Sequence, residues 1–332
     1  MTDYKGIQGF AIQNLTSDPT ADEGQVWYNS TSNVFKETAA TTVGAWATAT
    51  SMATARSGVG SAGTQTAALG FGGYDGPPAP LFTGATEEYD GSTWANSPPG
   101  LNTARRNLAG AGTQIAALAF GGVAGPPGPV TGVTEEYNGS TWATNPNSMG
   151  TARYDMGSAG TQTAALAFGG YIAPYTGVTE EYDGTSWSPQ TSLNTTRSNL
   201  GGAGTQTAAL AFGGSPIPTA GTATEEYDGS TWANSPPGLN TARYGLAGCG
   251  TQTAALAFGG TPPLTGATEE YNGSTWTSNP TGLNTARFNG LGGAGTQIAA
   301  LALGGETATA VTAATEEWTG AGALVTKTIT TS

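Results

Sequence analysis

Six pairs of adjacent glutamates are the residues best equipped for chemistry: Glu87-Glu88, Glu135-Glu136, Glu180-Glu181, Glu225-Glu226, Glu269-Glu270 and Glu316-Glu317. Two neighbouring carboxylates could divide general acid and general base work between them. Each pair, however, sits in a TEEY or TEEW run that reads as a β-strand, and successive strand residues point to opposite faces. The two members of a pair therefore cannot act together on one substrate. Six symmetric copies also argue for architecture, since an active site breaks symmetry. Six of the seven arginines recur once per unit, at Arg56, Arg105, Arg153, Arg197, Arg243 and Arg287. A Glu–Arg link between strands or between units is the expected role of both residue types.

Other chemistries lack their parts. The chain has no histidine, which removes imidazole metal ligands and any Ser/His or Cys/His nucleophile pair. Cys249 is the single cysteine, so no intrachain disulfide or thiolate metal site can form. It stands where the second repeat has Ala111 and is expected to be a small packing residue. The Gly-Gly doublets lead into loops rather than helices and do not form phosphate cradles. Nothing points to a cofactor or to catalysis.

The formal charge is −13, and lysine occurs only at Lys5, Lys36 and Lys327, so no basic patch awaits a phosphate backbone. Nucleic acid is not an expected partner. No stretch approaches the roughly 18 apolar residues of a membrane-spanning helix. The N-terminus lacks the basic start and apolar run of a signal peptide, so synthesis in a cytoplasm is expected.

These residues are carried by a tandem repeat. Thr-Ala-Arg or Thr-Thr-Arg recurs at spacings of 49, 48, 44, 46 and 44 residues. Periods of about 40–50 with strand-like content indicate propeller blades. Each unit reads TAR, a glycine-rich strand, GTQT or GTQI, AALAFGG or a close variant, a loop, TEEYDG, STW and a Pro/Asn-rich link. Glycine, at 53 residues, is roughly twice its usual share of about 7%, without the triplet period of collagen.

In the second unit four strands are predicted: 107–111, the apolar run 116–120, the TEEY run 134–137, and a fourth beginning at Thr141-Trp142. Asn138-Gly139 reads as a two-residue hairpin turn. Aspartate and asparagine alternate at that position, at Asp90, Asn138, Asp183, Asp228 and Asn272. A site indifferent to charge but restricted to Asx-Gly is a turn. The Tyr/Trp pairs, such as Tyr137/Trp142, are expected to pack between blades.

The repeat covers about 54–320, with units near 54–102, 103–150, 151–194, 195–240, 241–284 and 285–320. In the sixth unit Trp318 takes the tyrosine position and no tryptophan follows. The segment 1–53 contains a hairpin over 24–36 and carries Trp46 ahead of Arg56, much as Trp94 precedes Arg105. Residues 321–332 read as a closing strand. An all-β propeller of four-stranded blades follows, because open edges aggregate and a ring needs its ends fastened. Seven blades are expected, the seventh composed from both termini. A six-bladed ring with an N-terminal appendage is the alternative.

In an up-and-down blade the GTQT and YDGST turns share one face of the ring. The opposite face carries the loops between the second and third strands, which have 12, 11, 8, 9, 7 and 9 residues and unrelated contents. Rigidly mounted, aromatic-tipped loops can make a recognition surface at small entropic cost. The candidate contacts are Tyr74, Asp75, Phe82, Tyr171 and Tyr175, a set suited to a glycan. The same loops could equally be tolerated insertions.

The strand ending in Gly-Gly, with Tyr and Trp at fixed offsets and a basic residue opening the next unit, resembles the kelch repeat. The YDGSTW segment is also similar to the Asp box of sialidases, but its Asp is displaced by one position and the arginines are dispersed. Together with the hairpin GQVWYNSTSNVFKE, the units resemble kelch-like structural proteins of tailed phages, particularly marine ones. That resemblance implies a virion component, a tail fibre or surface decoration. Its partners would be a host-surface glycan or protein receptor and other virion proteins, with oligomerisation an option. A cellular or secreted protein-interaction propeller is the alternative. An unpaired polar cluster in the central channel would instead point toward an enzyme.

Overall fold

A computed structural model describes residues 13–18, 25–40, 43–76, 82–125, 128–322 and 324–329. The chain forms two compact units, one of residues 45–318 and one combining 1–44 with 319–332. The larger unit is a β-propeller of six four-stranded antiparallel blades. Blade 2 consists of Ala109–Thr113, Ala116–Phe120, Thr134–Tyr137 and Trp142–Asn145, running from the axis outward. The innermost strands of consecutive blades lie side by side, and Gly292–Gly295 of blade 6 adjoins Gly60–Thr64 of blade 1.

Of the two expected architectures the six-bladed ring is the one observed, and the favoured seventh blade is corrected away. Blade 6 takes its outer strand from Ala45–Ala49, ahead of the first repeat. The reason is the missing tryptophan of the sixth repeat. Trp46 fills that place, 4.8 Å from the Phe258 ring and 5.4 Å from the Trp318 ring. Phe71 and Trp142 make the same contact at 4.9 Å between blades 1 and 2. Segments near the two termini do pair, but in a separate four-stranded sheet. There Gln13–Leu15 pairs parallel with Val26–Asn29, which forms a hairpin with Val34–Ala40, which in turn pairs with Leu324–Thr328.

Small-large alternation in the AALAF strand explains how blades stack. Leu118 and Phe120 point toward blade 3, while Ala117 and Ala119 point toward blade 1 and leave room for its Leu69 and Phe71. All six of these side chains are fully enclosed. The inner strands are equally constrained in size. A Cβ on Gly60 would lie 2.3 Å from Phe71 Cε2, and one on Gly110 would lie 2.5 Å from the Ser61 carbonyl oxygen. A larger residue at Gly60 would displace the Phe71 ring of its own blade, and one at Gly110 would press on the backbone of blade 1.

The same alternation sends the two glutamates of each pair to different tasks. Glu135 turns to the buried Arg105 of its own blade, at 3.3 Å, and accepts the amide N–H of Asn102 at 2.7 Å. Equivalent pairs are Arg56–Glu87, Arg153–Glu180, Arg197–Glu225, Arg243–Glu269 and Arg287–Glu316. Glu136 faces the next blade and accepts from the Tyr182 hydroxyl. Tyr137 likewise donates to Glu88 at 2.6 Å, and Tyr89 donates to Glu317 at 2.7 Å across the ring closure. Trp318 breaks this series, its indole N–H going instead to the Gln297 carbonyl at 2.8 Å.

The GTQT glutamine adds a third tie. Gln114 donates to the carbonyls of Ala68 and Tyr89 in blade 1, and every other blade has the same link to the blade before it.

Two local readings change. The first strand of blade 2 begins at Ala109 rather than at 107, because Asn107 adopts a left-handed φ of 55° and ends the extended run. The Asx-Gly connection spans four residues, with Tyr137 paired to Trp142. Asn138 accepts the backbone N–H groups of Ser140 and Thr141, and only the glycine of the Asx-Gly pair needs positive φ. At Asp90 the corresponding bonds, led by the Thr93 amide, draw the carboxyl down to about 2.

Candidate functional site

Framework bonds absorb the repeated polar residues, so the positions that differ between blades identify the candidate site. Two sets of these surround the end of the ring where the second strands finish. The residue after each repeated arginine is Ser57, Arg106, Tyr154, Ser198, Tyr244 or Phe288. It bridges to the residue after the Gly-Gly doublet: Tyr74, Val123, Tyr171, Ser215, Thr261 or Glu306, respectively. Backbone pairing thus holds the start of every variable loop against the entry to its own blade.

Blades 1 to 3 carry an aromatic sector on this frame. In blade 1, Tyr74 and Phe82 pair across the base of their loop, with ring centroids 6.3 Å apart. In blade 3, Tyr171 pairs with Tyr175, their rings 5.4 Å apart, and Tyr154 stands 5.5 Å from Tyr171. Ser215 of blade 4 donates to the Tyr175 hydroxyl at 3.2 Å.

Arg106 enters from blade 2, its guanidinium carbon 4.9 Å from the Phe82 centroid and 5.3 Å from that of Tyr74. Such stacking holds a guanidinium through attraction to the ring faces. At the corresponding positions blades 4 and 5 offer Ser198, Ser215, Tyr244 and Thr261. In blade 6 Glu306 accepts from the Ser57 hydroxyl at 2.9 Å.

The structure therefore places Tyr74, Phe82, Tyr171 and Tyr175 on one face, as two aromatic groups flanking Arg106. Asp75 follows Tyr74 at the edge of that loop and is half-buried; loop residues 77–81 and 126–127 lie outside the described residues. The sequence reading missed Arg106 and Tyr154. A signal existed: Arg106 is the one arginine outside the repeated set, and its position holds four different residue types across the six blades.

Beneath this face lies the channel, a cavity of about 230 Å³ walled by the small residues of the inner strands. Its mouth carries six residues with left-handed φ: Gly58, Asn107, Asp155, Asn199, Gly245 and Asn289. Successive backbones hydrogen-bond around the ring, from Asn107 N–H to the Gly58 carbonyl at 2.9 Å and from Asn199 N–H to the Asp155 carbonyl at 2.8 Å.

Asp155 is the one acid in this collar. Its carboxylate accepts from the Asn107 side-chain amide through one oxygen and from Asn199, at 3.1 Å, through the other. Desolvation raises its pKa to about 6, while the two asparagines and Arg106 pull the opposite way. This polar cluster is hydrogen-bonded within itself. Among the described residues, no group of three or more His, Cys, Asp or Glu side chains is arranged to hold a metal ion.

The chain matches no protein-family model, and a comparison with curated proteins found no match.

Proposed function

We propose that this propeller is a non-enzymatic binding protein: a kelch-like virion component, of tail-fibre or surface-decoration type, that recognises a host-surface receptor through its aromatic sector. The observation that carries the reading is the division of labour among side chains. Repeated Arg–Glu pairs brace each blade and repeated Glu, Gln, Tyr and Trp residues bind blade to blade, whereas Tyr74, Phe82, Arg106, Tyr154, Tyr171 and Tyr175 vary between blades and gather on one face. Flat, stiff rings lose little rotamer freedom on binding and suit the apolar faces of sugars. The viral assignment rests on the resemblance of the repeat and of the N-terminal hairpin.

Binding of the purified chain to a glycan array and to candidate host cells tests the proposal. The control has residues 74–83 and 171–177 replaced by Gly/Ser. Binding that disappears in a folded control supports attachment through this face. Silence from the intact chain rejects it in favour of a purely structural part. The same aromatic and arginine composition is typical of protein-binding hot spots, which favours a cellular or secreted interaction propeller as the second reading. Detection of the chain in purified particles separates the two.

A further inference from the structure

We infer that Arg106 makes the aromatic sector selective for a sugar bearing an isolated carboxylate, such as a uronic or nonulosonic acid. This rests on the glycan-binding reading above and narrows its ligand class. The six repeated arginines are each buried against a glutamate, and Lys36 is paired with Asp18 at 2.9 Å. Arg106 differs from all of them. Among the described residues its guanidinium makes no hydrogen bond or ion pair and is held only by the Tyr74 and Phe82 ring faces.

Attraction to the ring faces engages none of the guanidinium N–H groups as a hydrogen-bond donor, so they stay available to a ligand. A carboxylate is the planar partner that takes two of those donors at once. Tyr154 and Tyr171 extend the sector from blade 3, where the apolar face of a pyranose ring can rest.

The charge of the molecule sets the valence of the ligand. Arg106 has no ion pair among the described residues, in a chain of net charge −13, and lies close enough to Asp155 in the collar to lower that residue's pKa. A polysulfated or polyphosphorylated chain would meet repulsion from that net charge. A single acidic group flanked by neutral sugar surface is the matching chemistry.

The test uses the full chain, with immobilised oligoglucuronate, its carboxyl-reduced counterpart and sialyllactose as probes, measured by surface plasmon resonance. At least one acidic probe should bind roughly tenfold or more tightly than the neutral counterpart. Arg106→Gln should abolish that preference while retaining the weaker neutral binding. Arg106→Lys should keep only part of it, because an ammonium lacks the two-pronged donor geometry. Tyr171→Ala should weaken acidic and neutral probes alike. Unchanged melting temperatures for these variants exclude misfolding as the cause.

Which acidic probe wins distinguishes a uronic from a nonulosonic acid. Equal binding of acidic and neutral probes, or wild-type preference in Arg106→Gln, overturns the inference and leaves glycan binding standing. No binding of any probe, acidic or neutral, while the glycan array is positive, overturns it as well. Silence on the array also removes the reading beneath it.

Discussion

The indole N–H of Trp46 donates to the Thr268 hydroxyl at 2.8 Å, joining residues separated by 222 positions in the chain. Every other blade makes this bond inside the repeat array, as Trp142 does to Thr86 at 2.9 Å. In blade 6 the donor comes from ahead of the first repeat, so this contact fastens the N-terminal strand of the ring against blade 5. Trp46→Ala should cost about 3–5 kcal/mol, the range for truncating a buried tryptophan. Trp46→Phe should cost less, because packing against Phe258 and Trp318 survives while the hydrogen bond is lost. Urea denaturation measures both. A Trp46→Ala protein as stable as the wild type would show that the ring does not depend on this strand.

Glu135 and Glu136 are adjacent in sequence but should respond differently to substitution. Glu135→Gln leaves Arg105 as an uncompensated buried charge, at a cost of about 3–5 kcal/mol. Glu136→Gln removes a charge from a half-buried bond to Tyr182 and should cost about 1–2 kcal/mol. Equal losses in thermal melts would contradict the assignment of the two residues to opposite blade faces.

Asp155 gives the collar a pH dependence of known sign. Its folded pKa of about 6 lies above the ordinary value of 3.8, chiefly through desolvation, so folding favours the protonated carboxyl. Its contribution to stability is fully present below about pH 4 and is lost as pH rises through about 6. The turn residues Asp90, Asp183 and Asp228 act oppositely. Hydrogen bonds lower their pKa values, so their contribution is present above about pH 4 and is lost only in stronger acid. Asp155→Asn should therefore be at least as stable as wild type at pH 7.5, with one neighbouring amide turning its oxygen toward the new group. That advantage should vanish at pH 4. A pH-independent difference in melting temperature would remove the assignment.

Cys249 offers a label-free core a chemical reporter. It is buried between blades 5 and 6, and desolvation pushes its thiol up to about 12. Reaction with an aromatic disulfide reagent at pH 8 should be slow in the native protein and rapid in denaturant, since the thiolate is the reactive form. Fast native labelling would mean that the seam between these blades opens readily.

The sequence alone determined what depends on local period and on repetition. Two-residue alternation decides that Glu135 and Glu136 diverge, and that Ala117 and Leu118 face different neighbours. Asx-Gly at Asp90 and Asn138 marks a turn because backbone N–H groups there need a side-chain acceptor. The absent tryptophan after Trp318 was itself a clue that another segment must complete the last blade.

Tertiary structure alone decided the number of blades. Whether the strand bearing Trp46 completes blade 6 or joins the terminal sheet is a long-range pairing choice, and side-chain period carries no information on partners 222 residues away. The channel collar was hidden for a related reason: a left-handed φ at Asn107, Asp155 and Asn199 follows from the hydrogen bonds each makes with its counterparts in neighbouring blades. Arg106 acquires its place over Tyr74 and Phe82 in the same way, because only the ring brings the entry to one blade beside the loop of another.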